Sequence, residues 1–448
     1  MSTAAAASTE SQLLQVFQHL GLTQAHITAR IAADWQGLVT THPQAVASLT
    51  LVCPRGMNPG AVAPLASRLC VIAGERGRST DVLRQVLARF PEATLTTLRD
   101  YENPSPYADI AVDCTDALAT AMLTMLAQRD QQHPLPSVTL PQSAGDVGDI
   151  AYRVRGEGPP LLLLPLSVAP SQWEPIIPQL CTRYCTITLS GAALGMVASL
   201  ESRGHTAGYL RVVGNLIDAT HLQPGESLLE VGCGTGVLDR WLAQRTAGAN
   251  RITAVDVNRF LLQEAAALAR KEGVAHSIEF REGSAEALPF PDNTFDVAMS
   301  STVIQRVDAD RMLAEMRRVT KPGGRVAIVG HAHDLPQWVN LPLPTALKAK
   351  IEAPGWHDAE AYPLGCDESS LYRRMHQAGL MQVQMFPQFA AFADPTRLQQ
   401  LQATLLPTLN AAETEAWHTA LAQANTEGTF FVATPFHCAV GIKLVPSA

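Results

Sequence analysis

Residues 227–244, SLLEVGCGTGVLDRWLAQ, constrain this chain more than any other stretch. Mostly apolar residues lead into Gly232, Gly234 and Gly236, and an amphipathic run follows. The pattern is a buried strand, a tight turn and a helix. Glycine permits left-handed backbone and close approach of a ligand. The unpaired N–H groups of a helix that starts at the turn point into the same space. Such a unit belongs in a mostly parallel α/β sheet. The spacing is G-x-G-x-G. A dinucleotide fingerprint requires its third glycine one position later, where this chain has Val237.

The next strand pattern, RITAVDVN (251–258), carries Asp256, 20 residues after Gly236. A carboxylate at a strand tip can accept hydrogen bonds from both hydroxyls of a ribose, although a helix cap would use the same residue. GSAEALPFPDNTFDVAMSS (283–301) leads into a fourth strand, and TKPGGRVAIVG (320–330) is a turn and a fifth. In order and spacing, EVGCGTG, AVDVN, EALPFPDNTFDV and KPGGRV resemble the ubiquinone/menaquinone-biosynthesis branch of class I methyltransferases dependent on S-adenosyl-L-methionine (SAM). The resemblance is strong over 220–330 and looser over 331–448.

That resemblance implies a Rossmann-like methyltransferase domain over 201–448, with SAM as cofactor and a small-molecule acceptor. Glu230 and the loop Gly232, Cys233, Gly234 and Gly236 should surround the methionine end of SAM. Asp256 should hold the ribose and Val257 should lie against the adenine. The family usually carries Asp where this chain has Ser284, so the contact to the adenine amino group loses charge assistance. Ala285 should offer a backbone N–H. Ser300 and Ser301, ending the fourth strand, complete the cofactor candidates.

Methyl transfer is an in-line displacement at a sulfonium whose thioether leaves readily. The protein therefore mainly aligns the acceptor and excludes water, and needs a general base only if the acceptor is still protonated. Open α/β sheets bind ligands beyond the carboxyl ends of their strands. Ser301, Thr302, Gln305, Arg306, His331 and His333 lie there. His331 and His333 are the catalytic candidates, the alternative being surface histidines that cap backbone. A metal reading of H-x-H lacks a third ligand. Gln305, Arg306, His205, Tyr209 and Trp356 are candidates for the acceptor side, with 334–366 either a lid or a packed excursion.

Residues 13–200 resemble an α/β-hydrolase whose halves are permuted. LLQVFQHLGLTQAHITARIAADWQGLVTTHPQAVASLTLVCP (13–54) looks like the nucleophile strand, elbow and next strand. LCVIAGE (69–75) and ATLTTLRDYEN (93–103) look like the later strands, and DIAYRVRGEGPPLLLLPLSVAPSQW (149–173) like the family's opening strands. The elbow falls on Ile27–Ile31 with Ala29 at the nucleophile position. The acid position falls near Gly77, no histidine occurs at Tyr101–Pro104, and the oxyanion loop reads Pro165-Leu166. The implied role is noncatalytic: a scaffold, an acceptor-binding unit or a homodimer contact. Residues 1–12 read as a loose tail and 128–145 as a linker or a long surface loop.

A net charge of −8 without a basic run argues against nucleic-acid partners. The eight cysteines show neither zinc nor disulfide spacing. MSTAAAASTE has no basic n-region and Leu161–Leu166 is too short to span a bilayer, so the expectation is a cytoplasmic protein without a membrane span. The functional alternative is a SAM-binding sensor or assembly subunit without turnover.

Overall fold

The computed structural model describes residues 8–445, apart from 55–56, 103–109, 167–169, 192–193, 355–362, 394–397, 399–400 and 403–404. The chain divides into two compact units, Met1–Ala198 and Ser199–Ala448.

The strands of the first unit are β1 (Ala25–Ala29), β2 (Val46–Val52), β3 (Leu69–Arg76), β4 (Thr94–Glu102), β5 (Ala144–Val147), β6 (Ile150–Arg155), β7 (Pro160–Leu163) and β8 (Cys185–Ser190). They form one sheet in the order β4-β3-β2-β1-β7-β8-β6-β5. β1 pairs in parallel with both β2 and β7, so the early and late β-rich blocks meet in a single sheet. β6 runs antiparallel to β8 and makes a hairpin with β5. Every residue of β1 and β7 is buried, as expected where helices cover both faces. Ile27, Leu38 and Val16 pack on one side; Leu161, Met122 and Leu118 pack on the other.

Two sequence expectations need correction here. Residues 9–12 are not tail: helix Thr9–His19 starts there, capped by the Ser8 hydroxyl accepting the Ser11 N–H. Leu13, Val16 and Phe17, spaced for one helical face, bury against the sheet and anchor it. The stretch 128–145 is only in part a linker. Helix Thr115–Gln132 runs into it and β5 starts within it. Arg129 ties that helix end to the Ser67 and Leu69 carbonyls and the Thr94 hydroxyl, contacts that no local pattern announces.

The second unit contains β9 (Ser227–Val231), β10 (Arg251–Asp256), β11 (Ile278–Glu282), β12 (Phe295–Ser301), β13 (Thr320–His331), β14 (Trp338–Val339), β15 (Leu380–Phe392) and β16 (Val432–Lys443). Their order is β11-β10-β9-β12-β13-β16-β14, with β15 also on β16. β9 to β11 step outward in one direction, β12 and β13 in the other, all parallel; β16 is antiparallel. A topological switch point therefore lies between β9 and β12, where a crevice opens at the strand ends. The KPGG segment falls within the span of β13 as a turn: Thr320 pairs with Phe295 and Arg325 with Val297, and the residues between loop out with Gly323 at φ 78°.

Side chains hold the loop before β12 in place. Arg318 pairs with Glu315 and Asp292 and donates to the Leu288 and Phe290 carbonyls. Glu315 in turn accepts the Leu288 N–H at 2.8 Å. One guanidinium thus satisfies the polar backbone of a segment that packs Phe290 edge-on against Phe295. Among the described residues, no helix is long and apolar enough to cross a membrane.

Candidate functional site

Glu230 lies one residue before the end of β9, between Ala254 of β10 and Met299 of β12, and is 2% exposed. The chain then turns sharply. The N–H groups of Gly232 and Cys233 both donate to the Val255 carbonyl, at 2.7 and 3.0 Å. Gly232, Gly234 and Gly236 adopt φ of 80°, 57° and 68°. A Cβ on Gly232 would sit 2.2 Å from Val303 Cγ2. Helix Val237–Arg245 starts directly after Gly236, with no side chain capping its first amides. They are available to a ligand.

Asp256 closes β10. Its Oδ2 accepts the Gly234 N–H and its Oδ1 the Asn258 N–H, both at 2.8 Å. Burial pushes this carboxyl above its usual range, and the backbone donors limit the rise. Each oxygen retains acceptor capacity for a hydroxyl. Val257, next in sequence, is 72% exposed, an apolar side chain presented at the rim of the loop. The arrangement can hold a ligand with a cationic amino end, a vicinal diol and a flat ring.

The other cofactor candidates have local partners. The Ser284 hydroxyl accepts the Glu286 N–H at 3.2 Å and closes the turn 284–287, and Ala285 is buried there. Ser300 donates to the Val231 carbonyl at 2.7 Å, a strand-to-strand tie within the sheet. Ser301 lies 2.6 Å from the Tyr209 hydroxyl.

Tyr209 begins a row of rings along the carboxyl ends of β12 and β13 and the amino-terminal half of the antiparallel β16. Its ring is 5.6 Å from Phe436, which is 5.0 Å from His331, which stacks on His333 at 5.4 Å. The His333 Nδ1 lies 2.9 Å from an Asp367 carboxylate oxygen. Nearby, His437 Nε2 lies 2.6 Å from Asp334 Oδ1. Gln305 is buried and donates to the Thr302 carbonyl, while Arg306 is exposed. His205 is bound through Nδ1 to the Glu201 carbonyl in its own helix and its side chain is 64% exposed, the geometry of a surface histidine. Trp356 lies outside the described residues.

Sequence reading missed Asp239, Arg203, Phe436 and Asp367. Asp239 had a legible signal. It occupies the buried face of Val237–Arg245 together with Leu242 and Ala243, and a carboxylate on an apolar face calls for a partner. Asp367 and Phe436 are far from His333 and Tyr209 in sequence, and only the folded sheet brings them together.

The first unit holds a Ser–His–Asp chain of its own. His26 Nδ1 is 2.7 Å from the Ser48 hydroxyl and Nε2 is 3.0 Å from Asp130, which also accepts the Tyr184 hydroxyl. Ser48 is 0% and His26 1% exposed, so no substrate reaches the hydroxyl. The chain sits near the amino ends of β1 and β2, opposite the elbow, and satisfies buried polar groups. At the elbow itself, Arg30 follows Ala29 and donates to the Cys53 and Leu166 carbonyls, joining the ends of β2, β1 and β7.

Comparison with known proteins agrees with the geometry of the second unit. A family model described as "Methyltransferase domain" matches residues 229–328. The ubiquinone/menaquinone biosynthesis C-methyltransferase UbiE of Hahella chejuensis is 33% identical over 175 residues, 37% of this chain and 70% of its own length. The same enzyme of an Enterobacter species is 30% identical over 181 residues, 38% and 72% of the two chains. Among solved structures, the YcgJ protein of a Bacillus aligns with 53% of this chain and 99% of its own at 19% identity, with a TM-score of 0.35.

Proposed function

Because this chain belongs to the family of the ubiquinone/menaquinone biosynthesis C-methyltransferases, we propose that its acceptor is a flat, electron-rich ring methylated on carbon beside the row Tyr209–Phe436–His331. The chain is a SAM-dependent methyltransferase acting on a small-molecule acceptor. The residues of the glycine loop fit the cofactor. Glu230 faces the amino end, Asp256 has acceptor capacity left for the ribose, and Val257 is an uncovered apolar surface for the adenine. SAM supplies an electrophilic methyl group on a sulfonium.

The chain's own residues supply alignment and a proton acceptor. With both ligands bound, methylation at a ring carbon would leave that carbon with one proton to lose. The displaced ring proton then leaves to a base. His333 is suited to accept it, because its Nδ1–H donates to Asp367 and so puts the basic lone pair on Nε2. His331, stacked on it, lines the ring site. The observation that carries this reading is the unbroken run of rings from Ser301-bound Tyr209 to His333 at the carboxyl edge of the sheet. Incubation with methyl-labelled SAM and a hydroquinone bearing a short isoprenoid tail should label a ring carbon. His333→Ala should lower turnover by about 10²-fold or more. Label appearing on oxygen, or turnover unchanged in His333→Ala, overturns the assignment.

For the first unit we propose a permuted, catalytically inactive α/β-hydrolase fold over residues 13–200. Its support is the single sheet joining β7 to β1, the parallel run from β4 to β8 and the β5–β6 hairpin at one edge. The elbow position is Ala29 and its surroundings are filled by Arg30. Ester substrates should show no turnover above background, with or without Ala29→Ser. Hydrolysis by either protein refutes the inactive reading.

A further inference from the structure

The glycine-loop helix carries a second buried carboxylate whose role lies beyond the family pattern. Asp239 is 1% exposed, and among the described residues neither carboxylate oxygen has a donor other than its own backbone N–H. What it does face is the carboxyl of Glu230, itself 2% exposed, with which it shares a side-chain hydrogen bond. Two carboxylates cannot donate to each other, so a hydrogen bond between them requires one shared proton. An unpaired buried anion would be costly, and two adjacent ones far more so.

The charges around the pair are few. Asp256 faces Glu230 and is already satisfied by two backbone donors. Arg203 is the cation facing Glu230; it stacks over the Tyr209 ring at 5.0 Å, and its Nε is buried without an acceptor. Arg240 acts on Asp239 at a distance, but its guanidinium is committed to Glu201, to Glu272 and to the Thr235 carbonyl. The Cys233 thiol, also buried here, is held neutral because burial raises its pKa well above the usual value. None of these groups donates a hydrogen bond to Asp239, so among the described residues nothing replaces the shared proton.

We propose that Asp239 and Glu230 hold one proton between them in the free protein, and that docking of the cofactor's α-ammonium against Glu230 expels it. This rests on the reading above that Glu230 faces the amino end of SAM. The exchange conserves charge: one proton leaves as one ammonium enters, and the buried pair remains singly compensated. Asp239 is then a positioning residue acting through Glu230. It discriminates for an amino-bearing ligand, because a ligand without the ammonium has nothing to offer in place of the proton. Burial pushes Glu230 well above the usual carboxylate range and Asp239 up to about 6, the direction this exchange requires. Binding that releases a proton strengthens as pH rises through the titration of the pair.

The test is calorimetric and uses the full chain with S-adenosylhomocysteine, the stable product of the reaction. Binding heats at pH 6.5 in buffers of different ionisation enthalpy report protons exchanged per ligand. The wild type should release about 0.5–1 proton, and its affinity should rise roughly 8–30-fold from pH 5.5 to 7. Asp239→Asn should still bind, with proton release near zero and a flat pH dependence, since the amide donates to Glu230 and fixes it as the anion. The desamino analogue of S-adenosylhomocysteine, titrated into the wild type, should release no proton; it serves as the test if the variant fails to fold. No binding of S-adenosylhomocysteine by the wild type would refute the cofactor reading itself. Binding without proton release, or equal release by wild type and Asp239→Asn, would refute the proton exchange alone.

Discussion

At the end of β9 the chain turns through three left-handed glycines and leaves a loop rimmed by exposed Val257. At the end of β1 it turns through Arg30, whose guanidinium bonds the carbonyls that end the neighbouring strands. Both are parallel strands followed by a helix, in sheets covered on both faces. One carboxyl end is open to a ligand; the other is closed by the protein's own side chain. Strand–turn–helix topology therefore supplies only a location. Whether it becomes a site depends on what fills the turn, and a buried arginine fills it as completely as a ligand would.

The sharpest way to break this comparison is to remove the buried guanidiniums. Arg240→Met leaves Glu201, 4% exposed, as an uncompensated buried anion, and should cost the second unit about 3–5 kcal/mol. Arg30→Met leaves carbonyls without donors, at about 1–3 kcal/mol. Urea unfolding of both variants gives the two values, and a larger loss for Arg30→Met would reverse the ranking.

Between those two in size is Asp34, in the first turn of the helix after β1. Burial pushes its carboxyl up to about 7, although Oδ1 accepts the Gly195 N–H at 3.0 Å. The folded state then binds a proton that the unfolded chain has lost above pH 4. Its contribution to stability is complete below that pH and falls as pH rises toward 7. The loss is roughly 3–4 kcal/mol at 1.36 kcal/mol per unit. Asp34→Asn should flatten that slope in thermal melts between pH 4 and 7; an unchanged slope would show that another group titrates.

At the open end, Asp256→Ala should weaken S-adenosylhomocysteine binding by about 2–4 kcal/mol, since two charge-assisted bonds to the ribose and the brace on Gly234 are lost together. Unchanged affinity by calorimetry would remove Asp256 from the site. Smallest is Ser284→Asp, which can still accept the Glu286 N–H that Ser284 takes now and adds a charge toward the adenine amino group. The expected gain is about 1 kcal/mol of binding. No gain would mean that residue 284 serves its turn and nothing else.

Much of the second unit was legible because its signals are local. The G-x-G-x-G turn, the strand before it and Asp256 at the next strand tip are short-range patterns, and each occurs in the folded unit where periodicity put it. The helix at Thr9–His19 was missed because its small, polar first turn resembles a tail, and burial of Leu13, Val16 and Phe17 decides it. β5 was missed because four residues with alternate exposure carry little pattern until β6 pairs with them. At the site, Ser284 and Ser300 looked like ligand contacts by position, while their hydroxyls turn out to have backbone partners.

By itself the sequence determined the α/β class, the glycine loop and the strands that flank it, because strand periodicity, turn chemistry and helix starts act over a few residues. It also determined that Ala29 cannot act as a nucleophile, since no fold supplies an atom the side chain lacks. Only the tertiary structure decided which distant groups meet: Asp239 with Glu230, His333 with Asp367, β7 with β1. Those pairings are set by sheet order and by the burial each unit achieves as a whole. The free energy that holds a charged or polar side chain in place there comes from apolar surface elsewhere in the chain.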